Sequence, residues 1–328
     1  MFVYSDASRV LVHAPAKINL FLEVLGRRTD GFHEIETLMG AVTIFDTLEF
    51  FPRKQGDLRL TCRWAGGMHV RGNHTHKARG RSQPLGDLPS GNQNIVYRAV
   101  SRLRQQSAVR YGADIRLTKR IVSAAGLGGA SSDAAAALVA ANLAWNLHWT
   151  MERLSGLAAE LGSDIPFFLT EGWAVCRGRG ERIETIRGGR LPVVVVRPVE
   201  GLETAQVYRH CRPAQVAASV GPLLDCLATG DWRAICRGML NRLEETAREL
   251  NTSIGELKCK MQRLGCIAGQ MSGSGSSCFG VCRSRRHARR VAAQLRSLHV
   301  GEAYEATMAG RGRRQGIASR EGDVDSAS

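Results

Sequence analysis

The stretch that decides the fold is residues 123–144, which read SAAGLGGASSDAAAALVAANLA. Its glycines at 126, 128 and 129 permit backbone conformations and close approaches that a Cβ resists. Two serines and an aspartate, residue types that favour a helix start, follow them and open an alanine-rich helix. A glycine-rich loop that enters a helix presents unpaired N–H groups and the positive end of the helix dipole to an anion. The stretch predicts a phosphate site, and a tightly packed strand-to-helix turn is the alternative.

A second cluster of glycine and serine, MSGSGSSCFG, occupies residues 271–280. The first loop is not a Walker loop because no Gly-Lys-Ser/Thr follows it, and it lacks the third glycine of the dinucleotide-binding fingerprint. Two glycine-rich loops in one chain favour a polyphosphate ligand. For the second loop alone, a flexible turn is the alternative.

The composition is that of a globular protein with an unusually basic charge. The chain has 328 residues, which suggests two domains, and its net charge is +15. Residues 63–120 carry a net charge of +10 and residues 283–314 a net charge of +7, so the remainder is slightly acidic. A pI near 10 raises nucleic acid as a partner. The alternative is that two local stretches carry charge unrelated to the activity.

The cysteines and the hydropathy of the chain indicate the cellular compartment in which the protein is expected. The nine cysteines include no Cys-x-x-Cys pair, and their odd number predicts reduced thiols in a cytoplasm rather than disulfides or a metal cluster. No apolar run approaches the ~18 residues of a membrane span. The first residues do not resemble a secretory signal, because Asp6 and Arg9 interrupt them.

Hydrophobic periodicity predicts a mixed helix and strand chain. Strands are predicted at 9–25 (two strands or one bent strand), 31–50, 113–118, 173–177, 191–196, 266–282 (a pair) and 302–308. Helices are predicted after the first glycine-rich loop, opened by Ser131, Ser132 and Asp133, and at 94–110, 151–161, 204–210, 221–229, 231–238, 241–264 and 284–298. The composition of residues 63–92 predicts an exposed or disordered insertion. That of residues 311–328 predicts a disordered tail.

Three polar side chains stand out in apolar surroundings. Lys17 and Asn19 lie two residues apart in APAKINLFL, so both would face the same side of a strand. Asp164 precedes an apolar run in LGSDIPFFL. These residues are candidates for a site. The alternatives are a solvent-exposed lysine and a helix-capping or turn aspartate.

Three segments in this order, APAKINL, GLGGASSDAAA and SGSGSSCFG, resemble the signature motifs of the GHMP small-molecule kinases. The segments RRTDGFHEIETL, NIVYRA, LGSDIPFFL and NRLE resemble the branch of that superfamily whose substrate is a cytidyl diphosphate-linked methylerythritol. The resemblance runs from about residue 11 to about 309, omitting 63–92. It implies an α+β, two-domain GHMP kinase fold, with a ribosomal protein S5-like ATP-binding domain over 1–187 and a ferredoxin-like domain over 188–310.

The resemblance also implies roles for individual residues. Lys17 and Asp164 would be the catalytic pair, with Asp164 at the accepting hydroxyl and Lys17 screening developing charge. The implied ATP-binding residues are Asn94, Ala124, Ala125, Gly126, Leu127, Gly128, Gly129, Ala130, Ser131 and Ser132, with Ser131 or Ser132 near Mg²⁺. The implied substrate-binding residues are Asn19, Phe32, His33, Thr204, Tyr208, Gly273, Ser274 and Gly275. His33 would hydrogen-bond the cytosine, and Phe32 and Tyr208 would stack near it.

The chain departs from the family's usual pattern at a few positions. Val122 occupies a position where the family usually has proline. Ala125 and Ala130 occupy positions where the family tends to have glycine. Phe32 replaces the commoner tyrosine, and Arg242 replaces an aspartate or small residue. None of these departures removes an implied catalytic group.

The implied activity is ATP-dependent phosphorylation of the 2-hydroxyl of the cytidyl-linked methylerythritol, in the non-mevalonate route to isoprenoid precursors. The enzyme would be a cytoplasmic monomer or homodimer with ATP and Mg²⁺ as cofactors and no nucleic-acid or membrane partner. The alternatives are a GHMP kinase for homoserine or a mevalonate derivative, a nucleic-acid-binding protein, and a degenerate kinase that only binds its ligand. The DGFH segment disfavours the first, and the intact Lys17 and Asp164 disfavour the last.

Overall fold

A computed structural model of the chain describes residues 1–66, 88–122, 125–170, 172–308 and 310. Twelve strands lie in these ranges: β1 Phe2–Ser5, β2 Val10–Arg27, β3 His33–Arg53, β4 Leu58–Trp64, β5 Gly112–Lys119, β6 Trp173–Gly178, β7 Arg182–Ile186, β8 Leu191–Arg197, β9 Leu240–Asn241, β10 Ala268–Met271, β11 Cys278–Val281 and β12 Glu302–Met308. The described α-helices are α1 Ile95–Ser107, α2 Gly129–Ala144, α3 Met151–Leu161, α4 Ile165–Leu169, α5 Thr204–His210, α6 Gly221–Thr229, α7 Trp232–Gly238, α8 Glu244–Leu250, α9 Ser253–Arg263 and α10 Arg285–Ser297. Mixed helix and strand content confirms the predicted α+β class.

One sheet runs through both halves of the chain. Its main path is β1-β2-β3-β12-β8-β11-β10, with β5 and β6 pairing to other parts of the long strand β3. The boundary predicted between residues 187 and 188 falls between β7 and β8. Strands of the two halves pair where Met308 of β12 meets Val42 of β3 and where β9 meets β2. The run of valines in β8 is buried on both faces between β12 and β11, as an unbroken apolar run predicts for a central strand.

Strand β2 is a single bent strand, one of the two forms predicted for residues 9–25. Its pairing with β3 shifts register between Pro15 and Ala16 and again between Asn19 and Phe21. Bulges of this kind turn side chains locally and sharpen the twist. The segment that carries Lys17 and Asn19 therefore lies between two irregularities in the middle of β2.

Helix α2 packs closely on β2 and β3 because its side chains are small. Its alanines are buried around the whole circumference, with Ala134 to Ala137 fully excluded from solvent. A helix that is apolar on all sides is typical of a buried helix. This packing fixes the start of α2 beside β2, where the glycine-rich loop enters it.

Two predictions from the sequence needed correction. The single helix predicted over 241–264 is the short strand β9 and the helices α8 and α9, because the extended backbone of Asn251 ends α8 and its side chain accepts hydrogen bonds from Ser253. The insertion predicted over 63–92 begins inside β4, and a 3₁₀ helix occupies Gly91–Gln93. Residues 67–87 and the tail 311–328 lie outside the described residues.

The predicted basic helices present their charge to solvent. In α1 the buried residues are Val96, Ala99, Val100 and Leu103, whereas Arg98 and Arg102 are exposed. In α10 the arginines also lie on the outer face, where Arg285 and Arg289 form ion pairs with Glu305. None of the helices in the described ranges has the length and apolarity that a membrane span requires.

Candidate active site

The glycine-rich loop, β2, residues 162–164 before α4, and the second glycine cluster surround one cleft of about 360 Å³. Among the residues named from the sequence, it is lined by Lys17, Asn19, Ala125, Gly126, Gly128, Gly129, Ala130, Ser131, Asp164, Thr204, Tyr208, Gly273 and Ser274. These residues are separated by more than 250 positions in the chain. The fold therefore brings the three predicted motifs together at one place.

Lys17 and Asp164 form an ion pair at the centre of the cleft. The Lys17 Nζ atom lies 3.7 Å from Asp164 Oδ2 and donates a hydrogen bond of 2.8 Å to Asn19 Oδ1. The lysine side chain is 6% exposed, whereas that of Asp164 is 34% exposed. The lysine is thus a buried cation, and the carboxylate is accessible to a ligand.

Lys17 and Asn19 face the same side of β2, as their spacing predicts. Asn19 is itself held in place, because its Nδ2 donates to Thr37 Oγ1 at 2.9 Å and Thr37 donates to the Phe21 carbonyl at 2.6 Å. Asp164 precedes α4 and makes no capping hydrogen bond with its side chain. The carboxylate is therefore not used by the helix that follows it.

The glycine-rich loop needs its glycines for steric reasons. Gly126 and Gly128 have φ values of +72° and +68°, which side chains rarely adopt. A Cβ at Gly126 would lie 2.0 Å from the Ser272 carbonyl oxygen, and one at Gly128 would lie 2.8 Å from Phe168. The loop therefore passes directly against the second glycine cluster and α4.

The two glycine loops and β2 are joined by backbone hydrogen bonds. The Lys17 amide donates to the Leu127 carbonyl at 2.9 Å, and the Ser277 amide donates to the Ala125 carbonyl at 3.2 Å. The Ser272 hydroxyl donates to the Gly126 carbonyl at 2.9 Å. These bonds hold Lys17 and both loops as one unit.

The alanines that replace family glycines fit this loop. Ala125 is buried in the core, and Ala130 is exposed in the first turn of α2. Val122 is buried at the base of the cleft. Ala124 lies outside the described residues.

A buried cluster of three charged residues lies next to the glycine-rich loop. Lys119 contacts both Asp46 and Asp133, and all three side chains are almost fully buried. Burial lowers the pKa of Lys119, but the two carboxylates more than offset this and raise it overall. Burial also raises the pKa of Asp133. The second oxygen of Asp46 accepts the Ile121 amide at 2.8 Å, which ties the cluster to the strand-to-loop connection.

Two predicted ATP-site residues have side chains that face elsewhere. Asn94 caps α1, accepting from the Val96 amide and donating to the Pro89 carbonyl, and it does not line the cleft. Leu127 points into the core.

Ser132 is wholly buried at the start of α2, and its hydroxyl has no hydrogen-bond partner among the described residues.

Of the three aromatic residues predicted for the substrate, Tyr208 lines the cleft, whereas Phe32 and His33 do not. The rings of His33 and Tyr208 are 5.2 Å apart and inclined by 33°, while Phe32 is exposed. Burial, together with the nearby Arg27, lowers the pKa of His33. Burial raises the pKa of Tyr208. Both side chains are therefore neutral near pH 7, which suits hydrogen bonding and stacking with an uncharged base.

The second glycine cluster lines the cleft through Gly273 and Ser274. Thr204 and Ser274 share a hydrogen bond of 2.8 Å between their hydroxyls. Gly275 donates its amide to the Ser272 carbonyl and packs against Met271 and Leu202 rather than lining the cleft.

Arg179 is a cleft residue that the sequence analysis did not identify. It lies in the turn between β6 and β7, lines the cleft, and places its guanidinium 4.9 Å from the centre of the Phe32 ring. In the same turn, a Cβ at Gly180 would lie 3.5 Å from Asp164 Oδ1. The local signal is the Arg-Gly-Arg-Gly-Glu run at 177–181, but its position beside Asp164 depends on the distant pairing of β6 with β3.

Comparison with known proteins gives a consistent result. Residues 94–172 match the family model for the GHMP kinases N terminal domain, and residues 223–300 match that for the GHMP kinases C terminal. A 4-diphosphocytidyl-2-C-methyl-D-erythritol kinase of Pelotomaculum thermopropionicum is 41% identical over 286 residues, which are 86% of this chain and 92% of that protein. The kinase of the same name from Bacillus cytotoxicus is 35% identical over 283 residues, 85% of this chain and 91% of the relative.

Solved structures agree with the sequence relatives. A crystal structure of 4-(cytidine 5'-diphospho)-2C-methyl-D-erythritol kinase superposes with a TM-score of 0.73 at 35% identity, covering 92% of this chain and 99% of the other. A homoserine kinase of Cytophaga hutchinsonii gives a TM-score of 0.69 at 19% identity, covering 96% of this chain and 98% of the other. At that identity the second likeness concerns the fold alone.

Proposed function

Because the chain belongs to the 4-diphosphocytidyl-2-C-methyl-D-erythritol kinases of the GHMP kinase superfamily, we propose that its cleft transfers the γ-phosphoryl group of ATP to the 2-hydroxyl of 4-diphosphocytidyl-2-C-methyl-D-erythritol. The observation that carries this assignment is the Lys17–Asp164 pair, at 3.7 Å, in a cleft lined by both the glycine-rich loop and Tyr208, whose ring lies 5.2 Å from that of His33. The loop suits a polyphosphate, and the aromatic residues suit a nucleobase.

The ATP phosphates bind along the loop from Ala125 to Ser131. The start of α2 offers N–H groups and the positive end of the helix dipole, and this helix is 16 residues long. The glycines allow the backbone to approach the phosphates without interference from a Cβ. The Lys17 ammonium adds a fixed positive charge at the point where the loop meets the catalytic pair.

The residues at the start of α2 also fit a magnesium ion. Ser132 has a buried hydroxyl without a partner in the described structure, and Ser131 lines the cleft. Hydroxyl and carboxylate oxygens, with phosphate and water, are the ligands that Mg²⁺ takes in nucleotide sites. Ser131 or Ser132, with Asp164 nearby, would hold the ion. When bound, it supplies neutralisation of charge on the transferring phosphate.

The transfer step needs one group to orient the hydroxyl and another to stabilise charge. The 2-hydroxyl oxygen forms a bond to the γ-phosphorus while the bond from that phosphorus to the bridging oxygen of ADP breaks, and ADP leaves with the electron pair. The hydroxyl proton passes to the Asp164 carboxylate. Lys17 stabilises the charge that develops on the transferring group. Alignment and electrostatics supply most of the catalysis, because the transition state of phosphoryl transfer is loose.

The cytidyl end of the substrate is recognised by neutral and aromatic groups. A neutral His33 has one acceptor nitrogen, which can accept a hydrogen bond from the amino group of cytosine. Tyr208 and Phe32 offer aromatic faces for stacking. Arg179, over the Phe32 ring, places a cation where the substrate's diphosphate would pass between the base and the reacting hydroxyl.

The other candidate functions have less support. Likeness to the homoserine kinase extends to the fold only, at 19% identity. The basic residues of α1 and α10 that suggested nucleic acid lie on outward faces, away from the cleft-lining residues. The Lys17–Asp164 pair is complete, which disfavours a binding protein that has lost activity.

A cytoplasmic location accords with the thiols. All nine cysteines are free, including Cys266 and Cys282, whose sulfur atoms are 3.9 Å apart. A reducing compartment maintains such thiols. The choice between monomer and homodimer stays a prediction.

A coupled assay of ADP release tests the proposed function. The purified protein receives the cytidyl-linked methylerythritol, homoserine and mevalonate in parallel, with ATP and Mg²⁺. We expect turnover with the cytidyl substrate and a kcat/KM at least 100-fold lower with the other two. A preference for homoserine or mevalonate would contradict the assignment.

A further inference from the structure

The Asn-Arg-Leu-Glu segment at 241–244 has no role in the site described above. The side chains of Asn241 and Glu244, however, form hydrogen bonds with the second glycine cluster. We propose that Asn241 and Glu244 are positioning residues that hold residues 271–275 against the catalytic lysine. This inference rests on the proposed function, since it concerns the same cleft.

Asn241 uses both of its amide hydrogens on this loop. Its Nδ2 donates to the Met271 carbonyl at 2.9 Å and to the Gly273 carbonyl at 2.8 Å. Its Oδ1 accepts the Leu243 amide at 3.0 Å, which fixes the orientation of the side chain. The residue is 7% exposed, so water does not readily replace these bonds. Only a side chain with two donors and one acceptor satisfies all three partners.

Glu244 binds the same loop at the Met271 amide. Its Oε2 accepts the Met271 amide at 2.9 Å, and its Oε1 is paired with Lys258. Met271 is therefore bound through its carbonyl by Asn241 and through its amide by Glu244. The segment 241–244 therefore fixes the start of the loop through both backbone polar groups of one residue.

Residues 271–275 in turn pack against Lys17 and Asn19. A Cβ at Gly273 would lie 3.1 Å from Lys17 Nζ and 3.4 Å from Asn19 Oδ1, so the Gly273 backbone packs directly on the lysine head group. The Ser272 hydroxyl bonds to the Gly126 carbonyl of the ATP loop. Asn241 thus does not line the cleft, but it holds the backbone against which Lys17 packs.

The substitution Asn241→Asp tests the proposal because it keeps size and the Leu243 acceptor while removing both donors. It also sets a carboxylate against two carbonyl oxygens. We expect kcat to fall roughly 10- to 100-fold, since a displacement of about 1 Å at a catalytic group costs on this scale. The KM for ATP should change less than kcat.

Asn142→Asp is the matched control. Asn142 is also 7% exposed, and it donates to the Trp149 carbonyl at 3.1 Å and accepts the Trp149 amide at 3.0 Å, near the far end of α2. Its substitution loses a buried donor without touching the cleft. We expect lower thermal stability and a kcat within twofold of the wild type.

A pH series separates positioning from general weakening of the fold. When the aspartate introduced by Asn241→Asp takes up a proton, it regains one donor for the loop. Its kcat relative to the wild type should therefore rise as the pH falls from 8 to 6, while the ratio for Asn142→Asp stays constant. If Asn241→Asp does not fold, Asn241→Ala replaces it under the same kcat criterion.

The outcomes are distinct. A folded position-241 variant whose kcat is within twofold of the wild type overturns the positioning role, as does an equal loss in Asn142→Asp. A wild-type protein without turnover on the cytidyl substrate instead overturns the proposed function.

Discussion

Gly126→Ala is the substitution that most directly challenges the packing of the two glycine loops. Gly126 has a φ of +72°, where an alanine costs roughly 1–2 kcal/mol relative to glycine. The new Cβ would lie 2.0 Å from the Ser272 carbonyl oxygen. A normal contact between carbon and oxygen is about 3.3–3.6 Å, so one backbone must move by more than about 1 Å.

This movement separates the ATP loop from the loop that packs on Lys17. A misplacement of about 1 Å in a catalytic constellation costs on the order of 100-fold in rate, so kcat should fall by about that factor and the KM for ATP should rise. Backbone strain and overpacking together should lower the free energy of unfolding by roughly 2–5 kcal/mol.

The assay is ADP release at varied ATP, with thermal unfolding followed on the same samples. Gly156→Ala is the control, because a Cβ at that position in α3 meets nothing within 4 Å. It should leave kcat within twofold and stabilise the protein by roughly 0.5–1 kcal/mol. If Gly126→Ala retains both kcat and the KM for ATP within twofold of the wild type, the close packing of the loops does not matter for activity.

Four further predictions concern single features of the chain. Asp164→Ala should abolish turnover and leave the ATP affinity measured by calorimetry largely intact; near-normal turnover would contradict its role at the hydroxyl. His33→Ala should raise the KM for the cytidyl substrate specifically; in the wild type that KM should rise as the pH falls, because protonation of an imidazole whose pKa is already lowered by burial removes the acceptor. Arg179→Leu should raise the KM for the cytidyl substrate at least tenfold with little change in that for ATP, and an equal change in both would argue against a diphosphate contact. Deleting 311–328 and shortening 67–87 should leave steady-state kinetics unchanged, and a large loss would show that these basic segments serve the reaction.

The sequence predicted best those elements whose signals are local. The helix Met151–Leu161 and the strand Glu302–Met308 match their predicted bounds, because turn residues and clear periodicity delimit them. Strand β4 was not predicted, although its residues alternate between exposed and more buried positions as in a half-buried strand; its pairing is with the distant β5. The break at Asn251 was also missed, because helix-forming residues flank it on both sides.

The same distinction applies to the site. The common face of Lys17 and Asn19 follows from a period of two along a strand, and the hydrogen bond between them confirms it. Neither Arg179 nor Asn241 could be found in this way. Arg179 reaches the cleft through a hairpin turn, and Asn241 acts on backbone groups 30 and 32 residues away. Contacts of this range are set by the tertiary fold and leave no periodic signal.

Analysis of the reaction product by ³¹P and ¹³C NMR tests the central claim most directly. The purified protein is incubated with ATP, Mg²⁺ and 4-diphosphocytidyl-2-C-methyl-D-erythritol. We expect one new phosphate monoester signal per ADP formed, with ¹³C–³¹P coupling that places the phosphate on the 2-hydroxyl, and no such signal with Asp164→Ala. Release of inorganic phosphate without a monoester, or a monoester at another hydroxyl, would contradict the account.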